Sequence, residues 1–176
     1  MQTQLFDIRE NCYCNARIVE ISDRHVLDFE EYWIPQLEEL GEEDKYWDWA
    51  FKKRMAFNED NIEGYAIECN NTTQGLLSLE TRFHRSWLDE TQKIVYIKTI
   101  ASAPWNRSGV PRQRYKFVGK RLISFARQRS AELGYFGRIG LHSLDNAIGF
   151  YRKLSMWELG RDPDCDDLIY FELGQL

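Results

Sequence analysis

Residues 15–22, Asn-Ala-Arg-Ile-Val-Glu-Ile-Ser, alternate apolar and polar side chains, which predicts a strand. Phe29, Trp33, Leu37 and Leu40 then recur at helical spacing and predict a helix ending at Gly41. Pro35 lies inside it and predicts a break or kink, because proline has no N–H for the helical ladder. Trp47, Ala50, Phe51 and Met55 mark one face of a second helix. Residues 63–70, 74–83 and 93–103 read as three successive strands, and Asn70-Asn71-Thr72-Thr73 predicts a hairpin between the first two. Residues 86–92 are a polar connection, and the third strand stops at Pro104. A loop rich in Arg, Gly and Pro leads to the strongest helix, with Val118, Leu122, Phe125, Ala126 and Leu133 on one face and Gly134 after it. Residues 137–143 predict a short strand, and Asp145 an N-cap for a helix through Ala147, Ile148, Tyr151 and Leu154. Two last strands, near 156–161 and 167–173, flank the turn Asp162-Pro163-Asp164. The order β-α-α-β-β-β-α-β-α-β-β predicts an α+β, or mixed α/β, layer fold around one sheet, in a single domain over residues 1–176. Strand, loop, helix and strand over 93–143 imply a parallel crossover.

Composition narrows the class. Hydrophobic residues make up 43% of the 176 and aromatics 14%, enough for a sizeable core and against wholesale disorder. No apolar run approaches membrane-spanning length, so no membrane partner is expected. The first residues lack a basic segment followed by an apolar one, so no secretory signal is read and a cytoplasmic location is expected. Cys12 and Cys14 are too close to pair with each other, no CxxC occurs, and His25, His84 and His142 are scattered. Reduced, mostly buried thiols and no metal site are therefore expected.

Charge is segregated. Residues 1–90 carry 9 basic and 20 acidic side chains, and residues 132–176 carry 4 and 8. Residues 91–131 carry 10 basic side chains and no acid. Within that block, Arg107, Arg112, Arg114 and Lys116 lie in the loop, with Lys120 and Arg121 in the first turn of the following helix. A helix N-terminus offers unpaired N–H groups and a favourable dipole to anions, and Gly119 allows close approach to its backbone. The pattern reads as a phosphate cradle. It matches neither GxxxxGK[ST] nor GxGxxG, so nucleotide hydrolysis and Rossmann dinucleotide binding lose support.

Two further patterns carry a resemblance. Ile100-Ala-Ser-Ala-Pro104 runs into Arg114-Tyr-Lys-Phe117-Val-Gly119, followed by Leu122-Ile123. Ala147-Ile-Gly-Phe150-Tyr151-Arg-Lys-Leu154-Ser-Met156 is the second. Together they resemble the core of the GNAT acyltransferase superfamily: a strand end and Pro, an R/Q-x-x-G-x-G/A loop opening a helix, and an Ala, apolar-Tyr, Lys-Leu-Gly-Phe run. Phe117 stands where that loop has its first glycine, Ser155-Met156 stand for Gly-Phe, and Lys98 takes the place of a frequent central-strand glutamate.

The resemblance implies a GNAT-like fold with a central mixed, mostly antiparallel sheet flanked by helices. It implies an N-acetyltransferase moving an acetyl group from acetyl-CoA, a cosubstrate, to an amine by direct attack. Ile100, Ala101 and Ser102 would bind the pantetheine arm and polarise the thioester carbonyl. Arg107, Arg114, Lys116, Phe117, Val118, Gly119 and Lys120 would hold the pyrophosphate. Tyr151 would protonate the departing thiolate, and Glu80 is the first choice of general base, ahead of Glu68, His142 or a water chain. The acceptor would be a small-molecule or peptide amine. Glu42-Glu43-Asp44 and residues 162–167 would form an acidic rim favouring a cationic one. A homo-oligomer is compatible with this reading. The alternatives are a non-catalytic acyl-CoA sensor of the same fold and, with less support in so acidic a chain, a nucleic-acid module using Trp105, Tyr115, Phe117 and Phe125.

Overall fold

The computed structural model describes residues 1–111 and 113–174. Its elements follow the expected order with additions at the N-terminus and in the loops. Strand β1 (Gln2–Asp7) pairs antiparallel with β2 (Cys12–Glu20) and is absent from the sequence reading. Its inward positions at the C-terminal end are Leu5 and the buried acid Asp7, whose carboxylate accepts the Arg9 N–H at 2.9 Å. An acid on the inner face hides the alternation by which a strand is recognised.

The helix at 23–40 does not break at Pro35; it widens. Helix α1 (Asp23–Asp28) passes through a π-turn (Phe29–Trp33) into α2 (Ile34–Leu40), and the Ile34 N–H reaches the Phe29 carbonyl five residues back. Proline removes one donor and crowds the carbonyl four residues earlier, and a wider turn relieves that crowding. Gly41 closes α2 in the left-handed region at φ 69°. Helix α3 (Trp49–Asn58) is capped by Asp48, which accepts the Phe51 N–H at 2.6 Å. Trp49 is its buried residue, while Phe51, expected inward, is half exposed, as is Leu40 of α2.

Strands β3 (Ile62–Cys69) and β4 (Thr72–Glu80) are joined through Asn70 and Asn71, both left-handed at φ 52° and 58°. That is the pairing a two-residue hairpin with the twist of its strands requires. Strand β5 (Val95–Ser102) leads through the short β6 (Tyr115–Lys116) to α4 (Val118–Glu132) and then β7 (Ile139–Ser143). β5 and β7 pair in parallel, Val95 opposite Ile139, as the crossover predicts. Helix α5 (Ile148–Lys153) follows a single 3₁₀ turn at Asp145–Ala147, so Asp145 is not an N-cap; Leu144 precedes the turn with no side-chain cap. Strands β8 (Trp157–Asp162) and β9 (Leu168–Leu173) complete, among the described residues, a nine-stranded, mostly antiparallel sheet in the order β6-β1-β2-β3-β4-β5-β7-β9-β8.

The chain divides into two compact units. The first comprises Met1–Ser78 with Thr99–Leu122, the second Leu79–Lys98 with Ile123–Leu176. The first is centred on Phe29, Trp33, Leu37 and Trp49 with Ala66, Leu76 and Ala101, and Trp47 and Trp105 pack at its margin. In the second, Val95, Ile139, Leu141, Tyr151, Tyr170 and Phe171 are buried. Among the described residues, no helix is long and apolar enough to cross a membrane.

Candidate functional site

In the first unit the basic loop is ordered by two buried amides. The Gln74 side-chain oxygen on β4 accepts from the Trp105 indole N–H at 2.9 Å and from the Asn106 amide at 2.9 Å. The Asn106 oxygen in turn accepts the Tyr115 N–H at 3.0 Å, and its carbonyl accepts from Gln113 at 2.9 Å. The Arg114 N–H reaches the Trp105 carbonyl at 2.9 Å, and the Asn70 amide donates to the Tyr115 hydroxyl at 2.9 Å. Burial in a low dielectric makes each bond costly to break, so residues 105–106 and 113–115 are held against β4 ahead of α4. Neither amide stands out in the sequence, because Gln74 and Asn106 are 32 residues apart.

The turn into α4 is unusual. Phe117 lies at φ +76°, a conformation glycine adopts freely and bulky L-residues avoid. Its carbonyl accepts the Arg121 N–H at 2.9 Å, the first closing bond of the helix. The N–H groups of Val118, Gly119 and Lys120 fall in the first turn, where no earlier helical carbonyl exists to receive them. Gly75 of β4 makes room for this helix: a methyl group there would lie 2.7 Å from Val118 Cγ1 and 3.0 Å from the Ala101 carbonyl oxygen. Val118 is buried, and Lys116, Phe117 and Lys120 are exposed.

The arginines divide. Arg107 is committed: its guanidinium forks onto Asp44, pairs with Glu42 at 3.1 Å and donates to the Ser102 carbonyl at 3.3 Å. Two of the three acids expected in one rim segment are thereby neutralised. Arg114 stacks over the Tyr115 ring at 4.9 Å, and its buried Nε finds no acceptor among the described residues. Arg121 Nε donates to the Gln4 carbonyl at 2.9 Å, and Arg112 lies outside the described residues. Ala101 is buried, with Ile100 and Ser102 half-buried at the end of β5. Tyr115, considered as a stacking residue for nucleic acid, is fully buried.

Glu68 is engaged in the same unit. His25 Nε2 lies 2.7 Å and Arg17 Nε 2.5 Å from its carboxylate, and Arg24 pairs with it as well. Burial pushes its pKa up, but the His25 hydrogen bond and the two arginines outweigh that and hold it below the usual glutamate value. The thiols are less buried than expected: Cys69 is buried, Cys14 and Cys165 half-buried and Cys12 exposed. Cys14 and Cys69 approach to 3.0 Å between sulfurs, and burial with the Cys69 contact pushes Cys14 up to about 12.

In the second unit Tyr151 of α5 is buried, its ring 5.5 Å from Phe171 of β9. Desolvation pushes its phenol well above the ordinary value, so it holds its proton at neutral pH. Glu80, at the end of β4, pairs with His84 at 3.2 Å and Lys98 at 3.6 Å. His84 stacks on Tyr96 at 4.4 Å, and the Tyr96 hydroxyl lies 2.8 Å from His142 Nδ1. His142 Nε2 is 3.0 Å from Asp162 Oδ2. Burial, then the nearby Cys165 and the Glu80 and Asp162 carboxylates, push Tyr96 up to about 12. Burial and the surrounding aspartates push the Cys165 thiol up too. The donor atoms of His142, Asp162 and Cys165 all lie within 4.8 Å of one another, so the expectation of no His/Cys cluster does not survive folding. Buried Glu172 anchors the 86–92 connection by accepting from Ser86 Oγ at 2.6 Å and from the Trp87 N–H.

No protein-family model and no curated protein match the sequence. Solved structures do. A protein of Thermoplasma volcanium described as Ard1 is 16% identical, with 92% of this chain and 98% of that one covered at a TM-score of 0.60. The PaiA N-acetyltransferase of Thermoplasma acidophilum in complex with coenzyme A is 14% identical, covering 92% and 99% at 0.57. An aminoglycoside 6'-acetyltransferase type Ii is 17% identical, covering 90% and 96% at 0.57. A Bacillus anthracis protein described as a streptothricin acetyltransferase, bound to acetyl coenzyme A, is 25% identical, and this chain spans 64% of its length at 0.49. The three overlays that cover 90% or more of both chains show that the chain has the fold of these acetyltransferases, the GNAT-like fold that the resemblance implies.

Proposed function

We propose that this protein is an acyl-CoA-dependent N-acyltransferase that moves an acetyl group from acetyl-CoA to an amine by direct attack, as one domain. The turn into α4 carries the reading: Phe117 holds the left-handed conformation directly before a helix start flanked by Lys116 and Lys120, over the space Gly75 leaves. Backbone N–H groups at a helix start, with lysines beside them, favour a pyrophosphate. The orphaned Nε of Arg114 supports an anion there, since a buried guanidinium N–H without an acceptor is costly. Arg107 shapes this loop through Asp44 and Ser102, and the backbone at Ile100, Ala101 and Ser102 holds the pantetheine arm.

In the second unit Tyr151 of α5 is the general acid for the leaving thiolate, a phenol that is protonated at neutral pH. Glu80 takes the amine proton, directly or through water, with Lys98 and His84 fixing its carboxylate. The acceptor is a small-molecule or peptide amine, and the exposed Asp164, Asp166 and Asp167 favour a cationic one. The test is a panel of amines with acetyl-CoA, reading release of free thiol. At least one amine should turn over, and Tyr151→Phe should lower kcat at least about tenfold while the fold persists. Thermal stabilisation by acetyl-CoA with no transfer to any amine would identify a sensor instead of an enzyme.

A further inference from the structure

The second unit holds a mixed set of donors that acyl transfer does not use. His142 stands on β7, Asp162 ends β8, and Cys165 lies in the turn between β8 and β9. Nitrogen, oxygen and sulfur donors together suit Zn²⁺ and exclude a preference for Mg²⁺ or Ca²⁺, which take oxygen alone. Zinc bonds of about 2.0–2.3 Å at tetrahedral angles place donor atoms roughly 3.5 Å apart. His142 and Asp162 already sit 3.0 Å apart, and the whole set falls within 4.8 Å, so about an ångström of side-chain closure completes the geometry.

The backbone fixes these donors. His142 is in register with Tyr170, and Asp162 with Leu168, so β9 carries both neighbours. The turn is tied by the Cys165 N–H to the Asp162 carbonyl at 3.1 Å and the Leu168 N–H to the Cys165 carbonyl at 3.0 Å. The Asp164 N–H holds the second Asp162 oxygen at 3.0 Å, leaving Oδ2 toward His142. The outer shell has the form that metal-bound histidines use: Nδ1 faces the Tyr96 hydroxyl at 2.8 Å, which leaves Nε2 as the ligand atom. Tyr170 at 4.8 Å and Trp87 at 6.1 Å from the imidazole wall one side with aromatic surface.

We propose that His142, Asp162 and Cys165 form a three-ligand Zn²⁺ site, with Tyr96 orienting His142. Binding exchanges the His142 Nε2–H···Asp162 hydrogen bond for two bonds to the ion, the neutral imidazole carrying its proton on Nδ1 instead, where the Tyr96 oxygen accepts it. The Cys165 thiol releases its proton to solvent as its sulfur takes the third position, and water fills the fourth. The ion pins the β8–β9 turn to β7.

The experiment uses the whole chain, stripped with a chelator and titrated with ZnCl₂ against a chromophoric zinc chelator. One tightly held zinc per chain is expected, weakened at least about tenfold in Cys165→Ser and in His142→Ala. The double variant Cys14→Ser/Cys69→Ser, which removes the close pair of thiols in the first unit, should keep it. Cobalt(II) supplies a second readout: a thiolate-to-metal charge-transfer band present in the parent protein and absent in Cys165→Ser, decisive even if His142→Ala does not fold. No stoichiometric zinc in the parent protein, or zinc and the cobalt band unchanged in Cys165→Ser, overturns the site. Neither readout involves acyl transfer, so failure here and failure of the enzymatic reading are distinguishable.

Discussion

The two polar clusters, one in each unit, are built from opposite materials. Around Gln74 and Asn106 the partners are amides, an indole N–H and backbone groups, none of which titrates near neutrality. Around His142 most partners can ionise: Tyr96, Asp162 and Cys165, with His84 stacked on Tyr96 and paired with Glu80. The neutral cluster organises backbone, holding a loop whose value lies in where its N–H groups point. The ionisable cluster organises side chains, whose value lies in protons and lone pairs. A neutral network keeps its geometry across pH, whereas the second can exchange protons and ligands.

Breaking the neutral cluster should have the largest effect on stability. Asn106→Ala leaves the buried Tyr115 N–H without its acceptor and takes one of the two donors from the Gln74 oxygen, and a loss of about 2 kcal/mol is expected in denaturant unfolding. Acetyl-CoA affinity, read by calorimetry, should fall with it, since the loop would no longer arrive fixed at α4. Phe117→Gly sharpens the comparison in the opposite direction. Relief of the left-handed strain should stabilise the chain by roughly 1 kcal/mol, read as a higher Tm, with coenzyme affinity kept. Unchanged or lower stability would mean that the half-exposed ring packs better than its backbone suggests.

The smallest effect tests whether the first unit is as indifferent to pH as its amides imply. Glu68 is its exception. Its carboxylate is held below the ordinary 4.5, so the folded state binds fewer protons there than the unfolded chain does. Its contribution is therefore complete above the ordinary glutamate range and fades as pH falls through the lowered folded value. Melting curves taken downward from pH 6 should show an acid-side loss that is shallower in Glu68→Gln. Parallel curves would remove Glu68 as the source.

Periodicity located the long elements because local patterns carry them: the helix after Phe117 and the strands at 63–70 and 167–173 lie within a few residues of their expected bounds. It passed over β1, where the inward Asp7 spoils the alternation, and it placed Phe51 inward although Trp49 is the residue that α3 buries. The candidate site follows the same rule. The basic turn and Phe117 in a glycine position were legible because they are contiguous. Gly75, Gln74 and Asn106 were not, since Gly75 makes room for Val118, 43 residues on, and Gln74 and Asn106 lie 32 residues apart. His142 and Cys165 escaped for the same reason: only the pairing of β7 with β9, and of β9 with β8, brings them together. Arg107 looked like a ligand for phosphate by charge, and nothing local announced its partner Asp44, 63 positions earlier.

The π-turn before Pro35 also sets helical phase. In a regular α-helix residues four apart overshoot a full turn, so a stripe spaced by fours drifts about 40° at each step. Phe29, Trp33 and Leu37 are spaced by fours and all buried in one cluster. The wider coil from Phe29 to Trp33 takes back the drift, keeping three large side chains in line where a regular helix would fan them apart. Pro35 thus acts as a phase corrector, and the aromatic centre of the first unit depends on a residue that contributes almost nothing to its volume.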